Sequence, residues 1–590
     1  MSLSAAVDDL ETRRHPPPEV KAEAEAEAGA GAGVHVAATA SAAEKESIRD
    51  VDSSNDSDKT SAPAPDEEQE KDVEERSKAQ TAVIVSALCL CVLLAALDAT
   101  IITTALPTIS EHFQSSAGYT WIGSAYLLAN AASVPSWGKF SDIFGRKPIL
   151  QTAAVVFFIG SALCGAAVSI EMLIIGRVVQ GIGGGGLIVL VNICISDLFT
   201  MRYVIILDPG GTVMGTIADA TNRKRSTYFG IVGMGLKAID WLGSLTVVSG
   251  TVMFLLGLEF GGVTFPWSSP KVICLIVFGL VIGGLFILIE WKVAKYPVMP
   301  LRLFKKISNV AALAVALSHG FVFIAGSYYL PLYFQAALGA TPLLSGVYLL
   351  PFVLVLSFGS GVVGVYIRKT GRYLEPIWFG MTLMTIGVGL FINLDENSSW
   401  AKIILYQIVA GLGVGPNFQS PLIALQSLVS PRDIATTTAT FGFVRQLATS
   451  ISVVVGGVVF QNGMQTQMPA LQRLLGNDTA SLLSGGSAGA NIMIVERLEP
   501  GPRAIARAAF ATSLKKMWIL YVCVGAAGMV ASAFIGKQTL SKVHHKTETG
   551  LAGEEARRTE AAKEKQQEKD EKNDEKDLER GRERERERRE

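Results

Sequence analysis

Residues 172–198 read MLIIGRVVQGIGGGGLIVLVNICISDL, an apolar run whose only charge well inside it is Arg177. About 20 consecutive apolar residues are needed to cross the hydrocarbon of a bilayer, and this stretch is long enough. An arginine within such a span costs about 2.5–3.5 kcal/mol on insertion scales, so its presence points to function. Gly181, Gly183, Gly184, Gly185 and Gly186 remove side chains from the same stretch, which lets neighbouring helices approach closely. They do not form a phosphate-binding loop, because no strand precedes them and no Lys-Ser or Lys-Thr follows.

Similar runs lie near 82–106, 117–138, 148–169, 238–258, 271–292, 309–332, 343–366, 374–394, 402–426, 437–460 and 516–537, about twelve spans in all. The expected fold class is an all-α integral membrane bundle. Across 590 residues the chain is 49% hydrophobic and 18% charged, with a mean hydropathy of +0.36, too apolar for a water-soluble chain of this length. The net charge of -1 implies no nucleic-acid partner. Cys89, Cys91, Cys164, Cys194, Cys274 and Cys523 all fall in apolar runs and read as buried apolar thiols, neither a zinc site nor a disulfide framework. Residues 1–80, rich in Ala, Glu, Ser and Pro, read as a disordered tail, and the charged stretch 539–590, ending RERERERRE, as another. No secretory signal precedes the first run, which is therefore expected to act as both signal and anchor.

Lysine and arginine mark every second loop: Lys139, Arg146 and Lys147; Arg202, Arg223, Lys224 and Arg225; Lys292, Lys295, Arg302, Lys305 and Lys306; Arg368, Lys369 and Arg372; then Arg432. The positive-inside rule puts these loops and both termini in the cytoplasm. The sequons at Asn397 and Asn477 then fall outside, where glycosylation is possible, the second within a long extracellular loop expected at 461–513.

Three further stretches sharpen the reading: LDATIITTALPTI (Leu97–Ile109), GKFSDIFGRK (Gly138–Lys147) and IIGRVVQGIGGGG (Ile174–Gly186). Together they resemble the signatures of the major facilitator superfamily, specifically its drug:proton antiporter branch with fourteen spans. AIDWLGSL, YYLPLYFQAALGATPLLSGVYLLPF and GLGVGPNFQSPLIALQ are similar to fungal members that export toxins and secondary metabolites, so the resemblance covers most of 80–540. It implies a bundle of two halves with a substrate site between them, no cofactor, and a proton gradient as energy source. It also implies a conformational latch at Gly138, Asp142, Gly145 and Arg146. By themselves these residues supply turns, a helix cap or an Asp142–Arg146 pair, and an inside anchor.

The chain departs from this family between the fourth and fifth runs. Residues 203–222 have no evident counterpart, and YFGIVGM (Tyr228–Met234) starts like a fifth span but passes directly to what resembles the entry of the seventh. The expectation is first-half spans 1–4 in 81–200, an atypical loop with a truncated span in 201–237, and a linker-type pair in 238–292. Second-half spans follow in 293–460, and a last span in 514–538. Spans five and six, with the antiporter signature of span five, are missing, and losing two preserves the alternation of basic loops.

Asp98, Arg177 and Arg445 are the intramembrane charges expected to matter. At 1.5 Å per residue, Asp98 and Arg177 both lie roughly 10 Å below the outer edge, so they are expected to pair, with Gln180 one turn from Arg177. A guanidinium nearby favours the ionised carboxylate and desolvation the protonated acid, so a change of state can move a proton on and off Asp98. A static structural ion pair is the plainer reading. Arg445, with Gln446 beside it, either lines the path in the second half or packs there. Asn417 and Gln419, next to Pro416 and Pro421, are candidates for contacting substrate at a helix interruption. His319 reads as a satisfied hydrogen-bonding residue, and Tyr328, Tyr329, Tyr333, Phe334 and Gln335 as an aromatic anchor at the outer interface.

The expected function is secondary active export of small amphipathic molecules by proton antiport at the plasma membrane, with a vacuolar or vesicular membrane as the other residence. The alternatives are a siderophore or amino-acid carrier of the same superfamily, a non-transporting sensor and an inactive variant; no enzyme constellation is present. A retained intron with a skipped exon, or a misassembled gene, explains the 203–234 junction. Sequencing the transcript is expected to return two further apolar spans there; an uninterrupted message encoding this junction overturns that explanation.

Overall fold

Inside lipid no water satisfies backbone N–H and C=O groups, so each apolar run has to close its own hydrogen bonds, and a helix does so. The computed structural model describes residues 78–113, 115–198, 239–262, 265–294, 297–429, 433–483, 488–538 and 540, and these are helical almost throughout. The only bridge outside helices among them joins Gly261 and Phe265. The expected N-terminal tail up to Lys78, the 203–222 insert, Tyr228–Met234 and the charged tail beyond Leu540 lie outside the described residues.

The first four helices are α1 (Lys78–His112), α2 (Ser116–Phe144), α3 (Arg146–Gly165) and α4 (Ile170–Leu198). Helix α1 bends by 44° between Ser86–Asp98 and Ile102–His112, next to its aspartate. Ser115 caps α2 by accepting from Gly118 N at 3.1 Å. Gly145, with φ of 90°, lets α3 begin one residue after α2 ends, a backbone conformation side chains oppose. Helices α3 and α4 touch through glycine: a Cβ on Gly160 would lie 2.3 Å from Gln180 N, and one on Gly183 2.3 Å from Phe157 N.

A pair follows, α5 (Trp241–Phe260), capped by Asp240 on Gly243 N at 2.8 Å, and α6 (Pro270–Lys292). The two pack on each other, and α5 rests on α2. The remaining helices are α7 (Ile307–Ala336), α8 (Pro342–Thr370), α9 (Leu374–Phe391), α10 (Trp400–Val414), α11 (Ser420–Ser427), α12 (Ile434–Leu482), α13 (Ile492–Arg497) and α14 (Pro500–Ser532). Each of the twelve expected spans coincides with a helix or, at 402–426, with α10 and α11 together. Among the described residues, ten helices, with α10 and α11 taken as one, or eleven counting bent α1, are long and apolar enough to cross a membrane. The remaining expected span is α2, which packs between α4 and α12 and so has little need of a lipid-facing apolar surface.

Helices α1–α4 form one group, and α7–α12 with α14 a second; α2 and α4 meet α12, and α1 meets α7 and α8. In the second group α9 has α14 as a neighbour as well as α10. Helix α3 rests on α4 and α2 and leaves Val155, Phe158 and Ile159 exposed, so the two groups are unequal. Apolar side chains cover the outside, among them Phe278, Val281, Leu354, Phe358 and Val530, as a lipid solvent requires. Cys274 and Cys523 are also exposed, contrary to the expectation that all six thiols are buried.

Three expectations are corrected. The stretch 461–513, expected as a loop, is mostly helix: α12 runs for 49 residues with a break at Gly476, and α14 starts at Pro500. It buries Leu471, Ala480, Leu483, Ile492, Val495 and Ala506, and that apolar core explains the order. The Tyr328–Gln335 cluster is no interface belt, since all its named members are buried: Tyr329 donates to Val453 O at 2.6 Å and Tyr333 to Asp395 O at 2.6 Å. Helix α7 lies between α1, α8, α12 and α14 and has little outer face to offer. His319 is only half satisfied, as described below.

Gly183→Val is expected to destabilise the purified protein by about 1–3 kcal/mol through overpacking against α3, read as a lower melting temperature in detergent. Unchanged melting would show that α3 and α4 do not pack so closely.

Candidate functional site

The polar residues of α1, α3 and α4 converge on one carboxylate. Arg177 Nη1 donates to Asp98 Oδ2 at 2.7 Å and to Gln180 Oε1 at 2.6 Å, and its Nε donates to Ile122 O at 3.2 Å. Gln180 Nε2 donates to Asp98 Oδ1 at 2.8 Å and to Ser161 Oγ at 2.8 Å. The guanidinium lies 4.4 Å from the centre of the Tyr126 ring. Both carboxylate oxygens are thus held, yet the Asp98 side chain is 22% exposed while that of Arg177 is 2%. The carboxylate is the more open member of the pair.

A second set of polar contacts joins the two helix groups. Gln446 Nε2 donates to Asn130 Oδ1 at 2.7 Å, Ser450 Oγ to Leu127 O at 3.0 Å, and Gln419 Nε2 to Asn192 Oδ1 at 3.3 Å. Gln335 Nε2 donates to Thr104 O at 3.4 Å. Gln419 and Gln446 therefore sit on the seam where a path between halves would open. Asn417 does not: it is fully buried, donates to Gly413 O at 3.2 Å and packs against Gly380 of α9. The 3-10 turn Gly415–Asn417, set by Pro416 with no N–H to donate, rotates it off the face that carries Gln419.

Behind the seam, Arg445 Nη1 donates to Phe418 O at 3.2 Å and the guanidinium lies 4.2 Å from the Phe418 ring centre. His319 is fully buried between Phe323 and Phe418; its Nε2 bonds Val414 O at 3.1 Å and its Nδ1 has no partner. At the expected latch, Arg146 Nη1 donates to Asp142 Oδ1 at 2.6 Å and to Ser141 Oγ at 2.8 Å, with Asp142 buried. Gly138 and Asp142 lie on the last turns of α2 and not in the expected loop, and Gly138 abuts Ala439 of α12, so this end of α2 touches the second helix group directly.

The Major Facilitator Superfamily pattern matches residues 88–453. The chain is a member of the major facilitator superfamily. It is therefore a multi-pass membrane transporter and not an enzyme. It is 48% identical over 494 residues to a protein named efflux pump dotC of Dothistroma septosporum, covering 78% of this chain and 85% of that one. It is 44% identical over 511 residues to the MFS-type transporter ppz2 of Metarhizium majus, covering 80% and 88%. A solved bacterial homolog of the human lysosomal transporter Spinster, inward-facing and unoccupied, is 18% identical with a TM-score of 0.48, over 78% of this chain and 98% of that one.

Several polar residues of this transporter escape the sequence reading. Ser161, Asn130 and Asn192 are uncharged, and nothing in an apolar run distinguishes them from solitary packing residues. Glu259 is 2% exposed on α5 with Ser124 of α2 facing it, and one of its oxygens has no partner. It stands one residue beyond the run ending at 258, where a charge reads as interfacial. Glu290, near the end of α6, is buried and accepts from Val298 N at 3.0 Å and Met299 N at 3.4 Å. The glycosylation candidates Asn397 and Asn477 are both exposed, the first between α9 and α10 and the second on α12 beyond the Gly476 break.

Removing Arg177 alone leaves a carboxylate without its cation, whereas removing both charges does not. Arg177→Met is therefore expected to lower the melting temperature of the purified protein more than the Asp98→Leu/Arg177→Met double variant does. The loss should stay below the ~3–5 kcal/mol of fully buried pairs, because Asp98 is partly open. A double variant less stable than the single one would contradict the pairing.

Proposed function

We propose that this chain exports small amphipathic organic molecules in exchange for protons entering the cell, with Asp98 as the group that takes and releases the proton. The observation that carries the reading is the asymmetry of the Asp98–Arg177 pair: a sealed guanidinium holds a carboxylate that remains partly open. In this reading, drawing α1 away from α4 would break the contact between the carboxylate and its guanidinium. The bend in α1 beside Asp98 gives that helix a place to change its angle. Export is supported by the relative named an efflux pump, and the proton gradient is the energy source in this reading.

Substrate would enter between the helix groups, at the seam marked by Gln419 and Gln446, and the groups would rock about it. The latch at Gly138–Arg146, pressed against α12, would close the cytoplasmic side in one state and release it in the other. The basic loops support cytoplasmic termini, and the plasma membrane is the residence that fits export.

The test is flux in reconstituted vesicles, with rhodamine 6G as an amphipathic probe and an imposed pH gradient. Wild-type protein is expected to accumulate the dye only with the gradient. Asp98→Asn should lose that accumulation while retaining gradient-independent exchange of dye across the vesicle wall. Undiminished proton-driven accumulation by Asp98→Asn refutes the assignment.

A further inference from the structure

The two intramembrane arginines are compensated very differently. Arg177 has a carboxylate, an amide and a main-chain carbonyl, and is sealed. Arg445 has one hydrogen bond, to Phe418 O, and the face of the Phe418 ring. No carboxylate bonds Arg445 among the described residues, and its titratable neighbour, His319, brings no negative charge. A guanidinium carries five N–H donors, so most of those on Arg445 are unused. The residue is half-buried, packed against Gly320 of α7 and the Phe418 ring.

The surroundings indicate what those donors await. The next residue along each chain segment, Gln446 and Gln419, bonds across to the first helix group, so Arg445 and Phe418 lie one residue behind the seam. Phe418 meets Phe323 edge to face at 4.9 Å and His319 at 5.0 Å, while His319 lies parallel to Phe323 at 6.1 Å. If the ring proton sits on Nε2, as its bond to the Val414 carbonyl requires, the unpartnered Nδ1 is an acceptor. The cluster therefore offers a cation beside partly exposed aromatic rings, with the His319 acceptor enclosed behind them.

We propose that Arg445 and Phe418 form a receiving site for the acidic group of a planar aromatic substrate, an aromatic carboxylate or phenolate. The guanidinium takes the anionic oxygen, and the Phe418 and Phe323 rings, backed by His319, take the flat apolar body. An uncompensated cation in a low-dielectric bundle favours an anion over a neutral molecule of the same shape, which gives selectivity as well as affinity. The inference rests on the export reading, and it adds the charge and shape of the cargo.

The experiment is equilibrium binding to the purified full chain in nanodiscs, without any gradient, using two probes of one ring system. These are 3-hydroxy-2-naphthoate, and methyl 3-methoxy-2-naphthoate, which lacks the charge. Wild-type protein is expected to bind the acid roughly tenfold more tightly than the ester, the scale of a charge-assisted hydrogen bond. Arg445→Gln should reduce acid binding to the level of the ester while ester binding is unchanged, which also shows that the variant is folded. Arg445→Lys should keep part of the preference, and Phe418→Leu should weaken both probes. Equal binding of the two probes by wild type, no measurable binding of the acid, or equal weakening of both by Arg445→Gln overturns the proposal. Because binding needs no proton flow, the acid preference stands even where Asp98→Asn retains proton-driven flux, and the two failures are distinct.

Discussion

A charge placed in a lipid-embedded helix bundle has to be neutralised or solvated where it lies, because the surroundings offer no water to do it. Much of this transporter follows from how that demand is met at two positions. In the first helix group Arg177 is met in full: a carboxylate, an amide and a carbonyl converge on it, and Tyr126 covers its face. Such convergence requires three helices within side-chain reach of one another. The glycines of α3 and α4 supply it, since at Gly160 and Gly183 the helices touch backbone to backbone. The glycine-rich run and the buried arginine, adjacent in sequence, are therefore parts of one arrangement: close approach is what lets Gln180 reach both the Asp98 carboxylate and Ser161 of α3.

How much of this is legible without coordinates differs from residue to residue. Apolar runs bounded by basic loops locate the helices, because lipid leaves the backbone little alternative. The Asp98–Arg177 pairing follows from depth alone, as two opposite charges at one level of a narrow bundle have few other partners. Direction around a helix axis is harder. Asn417 and Gln419 look equivalent on paper, yet the 3-10 turn at Pro416 sends one into α9 and the other to the seam. Helix α7 is apolar on every side, so its pattern does not reveal that Tyr328–Gln335 are enclosed and not at an interface. Residues 461–513 look like a loop because they are polar, but the spacing of a few leucines and alanines is enough to order them as helices outside the apolar spans. Glu259 is hidden by its place at the edge of a run.

The unequal number of helices in the two groups has a local meaning as well. Helix α9 has α14 at its side, whereas α3 presents Val155, Phe158 and Ile159 outward. The pair α5–α6 does not fill that position: it lies against α2, bringing Glu259 beside Ser124, with Glu290 near the end of α6. The Asp98 cluster draws on α1, α3 and α4, with α2 supplying Tyr126 and the Ile122 carbonyl. Its geometry is therefore complete within the four helices present, although α3 has an open flank.

The contacts that would have to break for the halves to move are of a different kind from those within each half. Asn130–Gln446, Asn192–Gln419, Leu127–Ser450 and Thr104–Gln335 are neutral hydrogen bonds, each worth about 0.5–1.5 kcal/mol net. Among the described residues, the ion pair between α1 and α13, Glu111–Arg497, is exposed and contributes on the order of 0–1 kcal/mol. The Asp98–Arg177 and Asp142–Arg146 pairs, by contrast, lie wholly inside the first group. Strong interactions thus keep the first group intact while weak ones join it to the second. A bundle that alternates between two arrangements needs that division, because a buried charge pair across the seam would cost several kcal/mol to open at every cycle. Arg445 fits the same logic: behind the seam, bonded to Phe418 of its own group, it adds no lock between the halves.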